Sequence, residues 1–515
     1  AIMECAWVVA ELARHSVSCI CFLKSRKLCE LVLDYVYQRL ETEPAVRRKV
    51  EGYRGGYTPE ARRQLESRLF SGELTAVVAT NALELGVDVG VVSATVHLGF
   101  PGSFASLRQQ SGRAGRRGAP SLSVFIPMNG PLDWFFMANP HRLLNGTMLP
   151  GALDPTNPLI LTPHLECAAH ELPLSLDDAV ALGEERVMTH LDEARDGGRL
   201  RRGGDDKWRW VGNGIPSAKV SLRTIENEQI QVLSGDTLLE TVEQSHAVFV
   251  VYPGAVYLHR GKNYIIDSLD WTDGVARAKR QDTDYFTMTR DHTDIHTLRA
   301  DSAPPNTEPT DDTRQLQTQW GPLRVVTRVY GYRKYMKKTM AVLDRVDVQL
   351  PDVVIETQGA WVRVGDALSE EIGQETLRGG IHANHAVTNA APLLVACNPE
   401  DVDTECTSPY ATHHHPNRVL VYDKHPGGVG LAAQVWSRFP QLVRMAIRAV
   451  GSCPCTSDAG CPGCIQSYHC GEYNAVLHKA SALVVLKGLL TQFGLSVHDD
   501  DDGDDDRAQP HSTCT

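Results

Sequence analysis

The sequence lacks any run of about 18 or more apolar residues, which excludes a membrane-spanning helix on length alone. It has no excess of positive charge: 51 Lys and Arg stand against 63 Asp and Glu, a formal net charge of −12. Bulk positive charge is therefore not how this chain would grip a polyanion. Seven of the acids sit in one tail, Asp499 to Asp502 and Asp504 to Asp506, so the rest of the chain is nearer neutral. Its first residues, AIMECAWVVAELARHS, lack the basic segment and small-residue cleavage site of a secretory leader. They read as an amphipathic helix already inside a domain, so the chain is expected to begin within a larger protein. No internal repeat is visible.

What is present is chain length and pattern. At roughly 150 residues per domain, 515 residues suggest three or four domains. From the start to about residue 140, apolar runs at 17–23, 76–80, 94–100 and 122–127 alternate with helix-period segments at 27–40 and 59–71. Strand alternating with helix predicts a parallel sheet covered on both faces, with ligands at the carboxyl ends of its strands. After Pro150 the texture is that of a small helical module with a β-hairpin wing. It becomes mostly β from Leu238 to Arg299, including HAVFVVYPGAVYLH. A Pro/Thr/Asp-rich linker comes next, then a mixed α/β region to about 490 and an acidic tail expected to be disordered.

Three segments lie at the expected strand ends: YRGGYTPEARR (Tyr53–Arg63), ATNALELGVDVG (Ala79–Gly90) and QQSGRAGRRG (Gln109–Gly118). In the last, Gly112 and Gly115 allow tight backbone while Arg113 and Arg116, three apart, share a face if the turn is helical. Two fixed guanidiniums suit phosphate oxygens and the charge that develops in phosphoryl transfer. An isolated GRxGR would read as an exposed basic turn; the neighbouring segments change that reading.

Together these segments resemble the second RecA-like domain of superfamily 2 helicases, with FLKSR (Phe22–Arg26) as its opening motif, ATNALELGVDVG as the fifth and QQSGRAGRR as the sixth. The resemblance implies Arg116 as the arginine finger on ATP, with Arg113 assisting on the phosphates. It puts Gly86, Asp88 and Gln109 at the nucleotide, and Thr80, Arg54 and Ser25 along a nucleic-acid backbone. Asp88 as a turn cap and Arg54 as a surface salt bridge are the plain alternatives. No GxxxxGK[ST] loop and no DExx tetrad after a hydrophobic strand occurs anywhere. ATP with Mg2+ is thus expected to be held mostly by a first RecA-like domain upstream, and this chain should be inactive alone.

Of thirteen cysteines, five crowd into CPCTSDAGCPGCIQSYHC (Cys453–Cys470). Such clustering favours a metal in a reducing compartment over a disulfide framework. Cys461 and Cys464 form a C-x2-C knuckle, and Cys453 with Cys455 can complete a structural Zn2+ site. Cys470 competes with Cys453 for the fourth place.

Upstream, VLVYDKHPGGVGLA (Val419–Ala432) reads as a strand, a glycine turn and a helix. Tight packing is favoured over a phosphate loop, because no Lys, Ser or Thr stands at the helix start. YDKHPGGVG, the cysteine cluster and CGEYN with Lys479 beyond resemble the zinc-binding domain of the branch formed by bacterial MrfA and the Hrq-type RecQ-like enzymes. That resemblance implies an α/β fold in which the RecA-like parallel sheet domain (1–145) is followed by winged-helix-like (150–235) and β-rich (236–300) modules. A linker (301–318), a zinc-binding α+β domain (319–492) and the tail (493–515) complete it. It further implies an ATP-dependent 3′-5′ DNA helicase in repair, intracellular and nuclear, acting on single-stranded or duplex DNA with no membrane partner. The alternatives are a non-catalytic zinc-stabilised nucleic-acid binder and an RNA helicase. WGPLRVVTRVYGYRKYMKK (Trp320–Lys338) interleaves cations with tyrosines, as a strand-stacking surface would, or an edge strand with a solvated basic face.

Overall fold

The computed structural model describes residues 1–515 apart from 55–56, 58, 86–91, 116–119, 156, 176, 179–183, 223–224, 226–227, 305–310, 312–313, 315–316, 338, 340, 382–384, 406–416, 468–469, 471–473, 493 and 497–515. The side chains of residues 59, 184–186 and 374–375 are likewise not described. The acids of the expected tail, Asp499 to Asp502 and Asp504 to Asp506, lie outside the described residues.

The first unit is a five-stranded parallel sheet. It comprises β1 (Cys19–Leu23), β2 (Val50–Tyr53), β3 (Ala76–Ala79), β4 (Ala94–Leu98) and β5 (Leu122–Ile126), in the order β2-β3-β1-β4-β5. β1, β3 and β4 are buried along their whole length, which is why they read as unbroken apolar runs. Alternate residues serve opposite faces. Cys21, Val78 and Val96 pack under α1 (Ile2–Arg14) and α2 (Arg26–Arg39), while Ile20, Phe22 and Val77 pack with Leu65 of α4 (Pro59–Phe70). The short α3 (Pro44–Arg47) leads into β2. The expected strands and helices agree with these to one or two residues. β2 went unread because VEGY is short and carries Gly52, packed against Leu33 and Tyr57. Past the sheet's fourth strand come α5 (Phe104–Ser111), α6 (Pro131–Ala138) and α7 (Pro140–Asn145).

Next, α8 (Pro158–Glu171), the helix Glu184–Asp196 and the hairpin β6 (Leu200–Arg202)–β7 (Trp208–Trp210) enclose Leu165, Leu191 and the fully buried Trp208. This is the helical module with a hairpin wing.

A second sheet joins β8 (Gln229–Ser234), β9 (Thr237–Glu243), β10 (Val256–His259), β11 (Lys262–Asp270) and β12 (Val275–Arg280) in the order β10-β11-β12-β8-β9. HAVFVVYPGAVYLH, expected to be all strand, is instead the end of helix Gln244–Val250, a turn and β10. Burying Ala247, Val248, Val251 and Tyr252 overrides the β propensity of the run, and Pro253-Gly254, with φ +87° at the glycine, breaks it.

The third sheet is antiparallel: β13 (Tyr285–Thr297), β14 (Gln319–Met336), β16 (Val353–Arg363), β18 (Arg418–Asp423) and β17 (Val402–Thr404) in that order, with β15 (Val342–Asp347) on β14. Helices Phe439–Ser452 and Lys479–Gln492, among others, cover it and build the core around Val362, Trp436, Phe439 and Leu489. Among the described residues no helix is long and apolar enough to cross a membrane.

Candidate nucleotide and strand face, and candidate metal centre

The carboxyl ends of β1, β3 and β4 converge on one face. Ser25 follows β1 and caps α2, its Oγ accepting the Leu28 N–H at 3.2 Å. Thr80 follows β3 and is buried. Four residues on, buried Glu84 binds α5: Oε1 accepts from Ser106 Oγ at 2.8 Å and Oε2 from Gln110 Nε2 at 2.9 Å. Since the Gln110 amide nitrogen donates to Glu84, its Oε1 accepts from His97 Nδ1 at 3.1 Å. His97 Nε2 lies 3.1 Å from the hydroxyls of both Thr95 and Ser123. Burial lowers the His97 pKa, against that Gln110 contact.

Arg113 is half-buried and turns its guanidinium onto the Glu84 carbonyl, with Nε at 3.0 Å and Nη2 also donating. Backbone pairing of Val92 with Ala114 and Gly115 fastens the same two segments. Among the described residues, Glu84 thus joins the turn after β3 to α5 and to Arg113. Gln109 is exposed on α5. Arg116, Gly86 and Asp88 lie outside the described residues. Sequence reasoning passed over Glu84 and Gln110, although both stand inside the quoted motifs; no local pattern marks them as partners.

Lys24 was also missed. Beside Ser25, it lines a cavity of about 230 Å³ with Asn81 and Gly99 on one wall and Asn398, Glu400 and Asp401 from the third-sheet unit on the other. Burial lowers its pKa, with Asp133 and Glu400 opposing. The closeness of these walls shows at Gly102, where a Cβ would stand 1.9 Å from Asn398 Oδ1.

Arg54, expected along a nucleic-acid backbone or in a surface salt bridge, is in ion pairs, but buried ones. It is 1% exposed. Nε donates to Glu30 Oε1 at 2.7 Å and Nη1 to Glu240 Oε1 at 2.6 Å, while Nη2 lies 3.3 Å from His259 Nδ1. Tyr57 Oη and the Gly261 N–H donate to Glu30, and Arg26 and Tyr257 to Glu240. Glu30 and Arg54 belong to the parallel-sheet unit; Glu240 and His259 come from β9 and β10. Burial opposes ionisation of Glu240, but His259, Arg54 and Tyr257 outweigh it and pull the carboxyl down to about 2. Buried, paired and fully hydrogen-bonded, Arg54 joins two units.

In the glycine turn after β18 the backbone amides are directed at Asp423. Asp423, fully buried, accepts the His425 N–H and Nδ1 at 3.0 Å each and the Val429 N–H at 2.7 Å, occupying amides a phosphate would need. Gly427, Gly428 and Gly430 have φ of +75°, +80° and +93°. The chain before α8 lies against them: Asn157 Nδ2 donates to the Pro426 and Gly428 carbonyls at 3.0 and 2.7 Å, and a Cβ on Gly430 would stand 3.1 Å from the Leu153 backbone. The basic-aromatic stretch is β14, central in its sheet rather than at an edge. Its Arg324, Arg328 and Lys334 pair with Glu356, Asp352 and Asp344.

The thiols of Cys453, Cys455, Cys461 and Cys464 lie within 4.8 Å of one another. Contacts of 3.5 Å (Cys453–Cys461), 3.7 Å (Cys455–Cys464) and 3.8 Å (Cys461–Cys464) match the separation of about 3.8 Å that tetrahedral Zn–S bonds of about 2.3 Å require. Cys470 stands outside the cluster, its sulfur accepting the Asn474 N–H at 3.3 Å. The donor set fits a four-thiolate ion. The knuckle glycine Gly463 lies against Trp134 of α6, so the centre also abuts the parallel-sheet unit.

Comparison with known proteins bears on both sites. Family profiles match at residues 4–118 (helicase conserved C-terminal domain), 153–225 (winged helix domain of ATP-dependent helicase HRQ1) and 383–465 (MrfA Zn-binding domain). The chain is 31% identical over 519 residues to the ATP-dependent helicase hrq1 of Schizosaccharomyces pombe, covering 96% of this chain and 47% of that protein. It is 30% identical over 463 residues to the uncharacterized ATP-dependent helicase YprA of Bacillus subtilis, covering 88% and 60%. The crystal structure of the DUF1998 helicase MrfA bound to DNA aligns with a TM-score of 0.66 at 29% identity, covering 94% of this chain and 63% of that one. The chain therefore spans about half of the fission-yeast relative and about three fifths of the bacterial one.

Proposed function

As the chain belongs to the MrfA/Hrq branch of superfamily 2 helicases, we propose that it forms the arginine-bearing half of an ATP-dependent DNA-unwinding motor, 3′-5′ in direction and serving genome maintenance. The observation that supports this most is the set of hydrogen bonds around Glu84, which ties the turn after Thr80 to Arg113. In this reading Arg116 reaches the ATP γ-phosphate, Arg113 fixes the backbone beside it, and Gly86, Asp88 and Gln109 line the nucleotide. Ser25 and Thr80 contact the strand's phosphates, with Lys24 added to them. A first RecA-like domain supplies the phosphate loop and the Mg2+ carboxylate that this sequence lacks. When bound, ATP supplies the phosphoryl group whose loss lets the cleft open. Phosphate contacts make strand binding salt-dependent.

Four cysteines hold a structural Zn2+, which fastens the loop 453–464 to the helices on either side and to Trp134. In organisms with a nucleus, genome maintenance places the protein there.

The test is ATP hydrolysis by this chain alone and by the chain preceded by its phosphate-loop domain, with single-stranded DNA or RNA added. Turnover is expected only in the joined form and greater with DNA. Robust turnover by the chain alone, or stimulation by RNA only, contradicts the proposal.

A further inference from the structure

Lys479 opens helix Lys479–Gln492, yet its ammonium reaches back to the cysteine loop. Nζ donates to the carbonyls of Cys453 at 2.7 Å and Cys455 at 3.0 Å, and stands 3.4 Å from Cys455 Sγ. Its own backbone N–H donates to the Asp458 carbonyl at 2.7 Å, inside that loop. Cys453 ends the helix Phe439–Ser452, so the ammonium also meets the negative end of that helix. All three ammonium protons are thus accounted for by a helix end, the loop backbone and a thiol. Four thiolates around Zn2+ leave two net negative charges in a half-buried place, where an adjacent fixed cation offsets part of the charge.

We propose that Lys479 is a positioning residue for the metal centre: it holds the Cys453–Cys455 arm at the spacing four-thiolate coordination needs and partly neutralises the loaded site. The inference rests on the zinc reading above. Partners of this kind, outside the ligand set, typically set metal retention rather than metal identity.

The test uses the whole chain, first analysed for zinc and then challenged with a chromogenic chelator while release is timed. Lys479→Met is expected to lose zinc about tenfold to hundredfold faster than wild type. Lys479→Arg, which keeps charge and donors, is expected to stay near wild type. Lys487→Met, an exposed lysine of the same helix, controls for loss of charge alone and should match wild type. Should the Met variant not fold, Lys479→Gln carries the same comparison. Release at the wild-type rate from Lys479→Met or Lys479→Gln overturns the proposal, and so does an Arg variant as leaky as Met. Wild-type chain without zinc would instead overturn the metal-site reading itself.

Discussion

The Arg54 guanidinium is directed at Glu30, Glu240 and His259, with almost no surface left to solvent. Removing one partner of such a buried network strands the others without compensation, at a cost of about 3–5 kcal/mol. Arg54→Met and Glu240→Gln are each expected to lower unfolding free energy by about that much in urea titrations. Loss of less than about 1 kcal/mol would show the network to be solvated and unimportant. Glu240 also fixes a pH dependence. Its folded pKa of about 2 lies below its ordinary 4.5, so its stabilisation is complete above 4.5 and is lost as pH falls toward 2. Glu240→Gln should flatten that part of the acid unfolding curve. None of this was legible locally: YRGG shows an arginine at a strand end, but its decisive partner is 186 residues away. The cysteines were legible for the opposite reason, since all four ligand positions fall within twelve residues, 453 to 464.

At the scale of elements, periodicity revealed the parallel sheet because fully buried strands leave continuous apolar runs. It misread HAVFVVYPGAVYLH because helix and strand both bury such a run, and packing chose between them. Of its two readings of β14, the edge strand gives way to a central one, and the acids paired with Arg324, Arg328 and Lys334 lie on β15, on β16 and just before β16, beyond any local window. The glycine turn after β18 gives an element-level prediction. Gly430→Ala would place a Cβ against the Leu153 backbone at φ +93°, costing about 1–3 kcal/mol. The unfolding midpoint should drop while ATP affinity of the complete motor is unchanged. Weakened nucleotide binding with unaltered stability would restore the phosphate-loop reading.

Among the described residues, contacts that tie the parallel-sheet unit to the second-sheet and third-sheet units include Arg54 to β9 and β10, Gly102 to Asn398, and Trp134 to the cysteine knuckle. The net charge of −12 does not decide the partner: Lys24 lines the strand-end cavity, while Arg324, Arg328 and Lys334 are paired with acids. The central claim, that this chain completes an ATPase with an arginine, is tested most directly by steady-state DNA-stimulated ATP hydrolysis of the joined motor carrying Arg116→Ala. ATP binding should persist while turnover falls by about a thousandfold or more. Turnover within a few-fold of wild type would contradict the account.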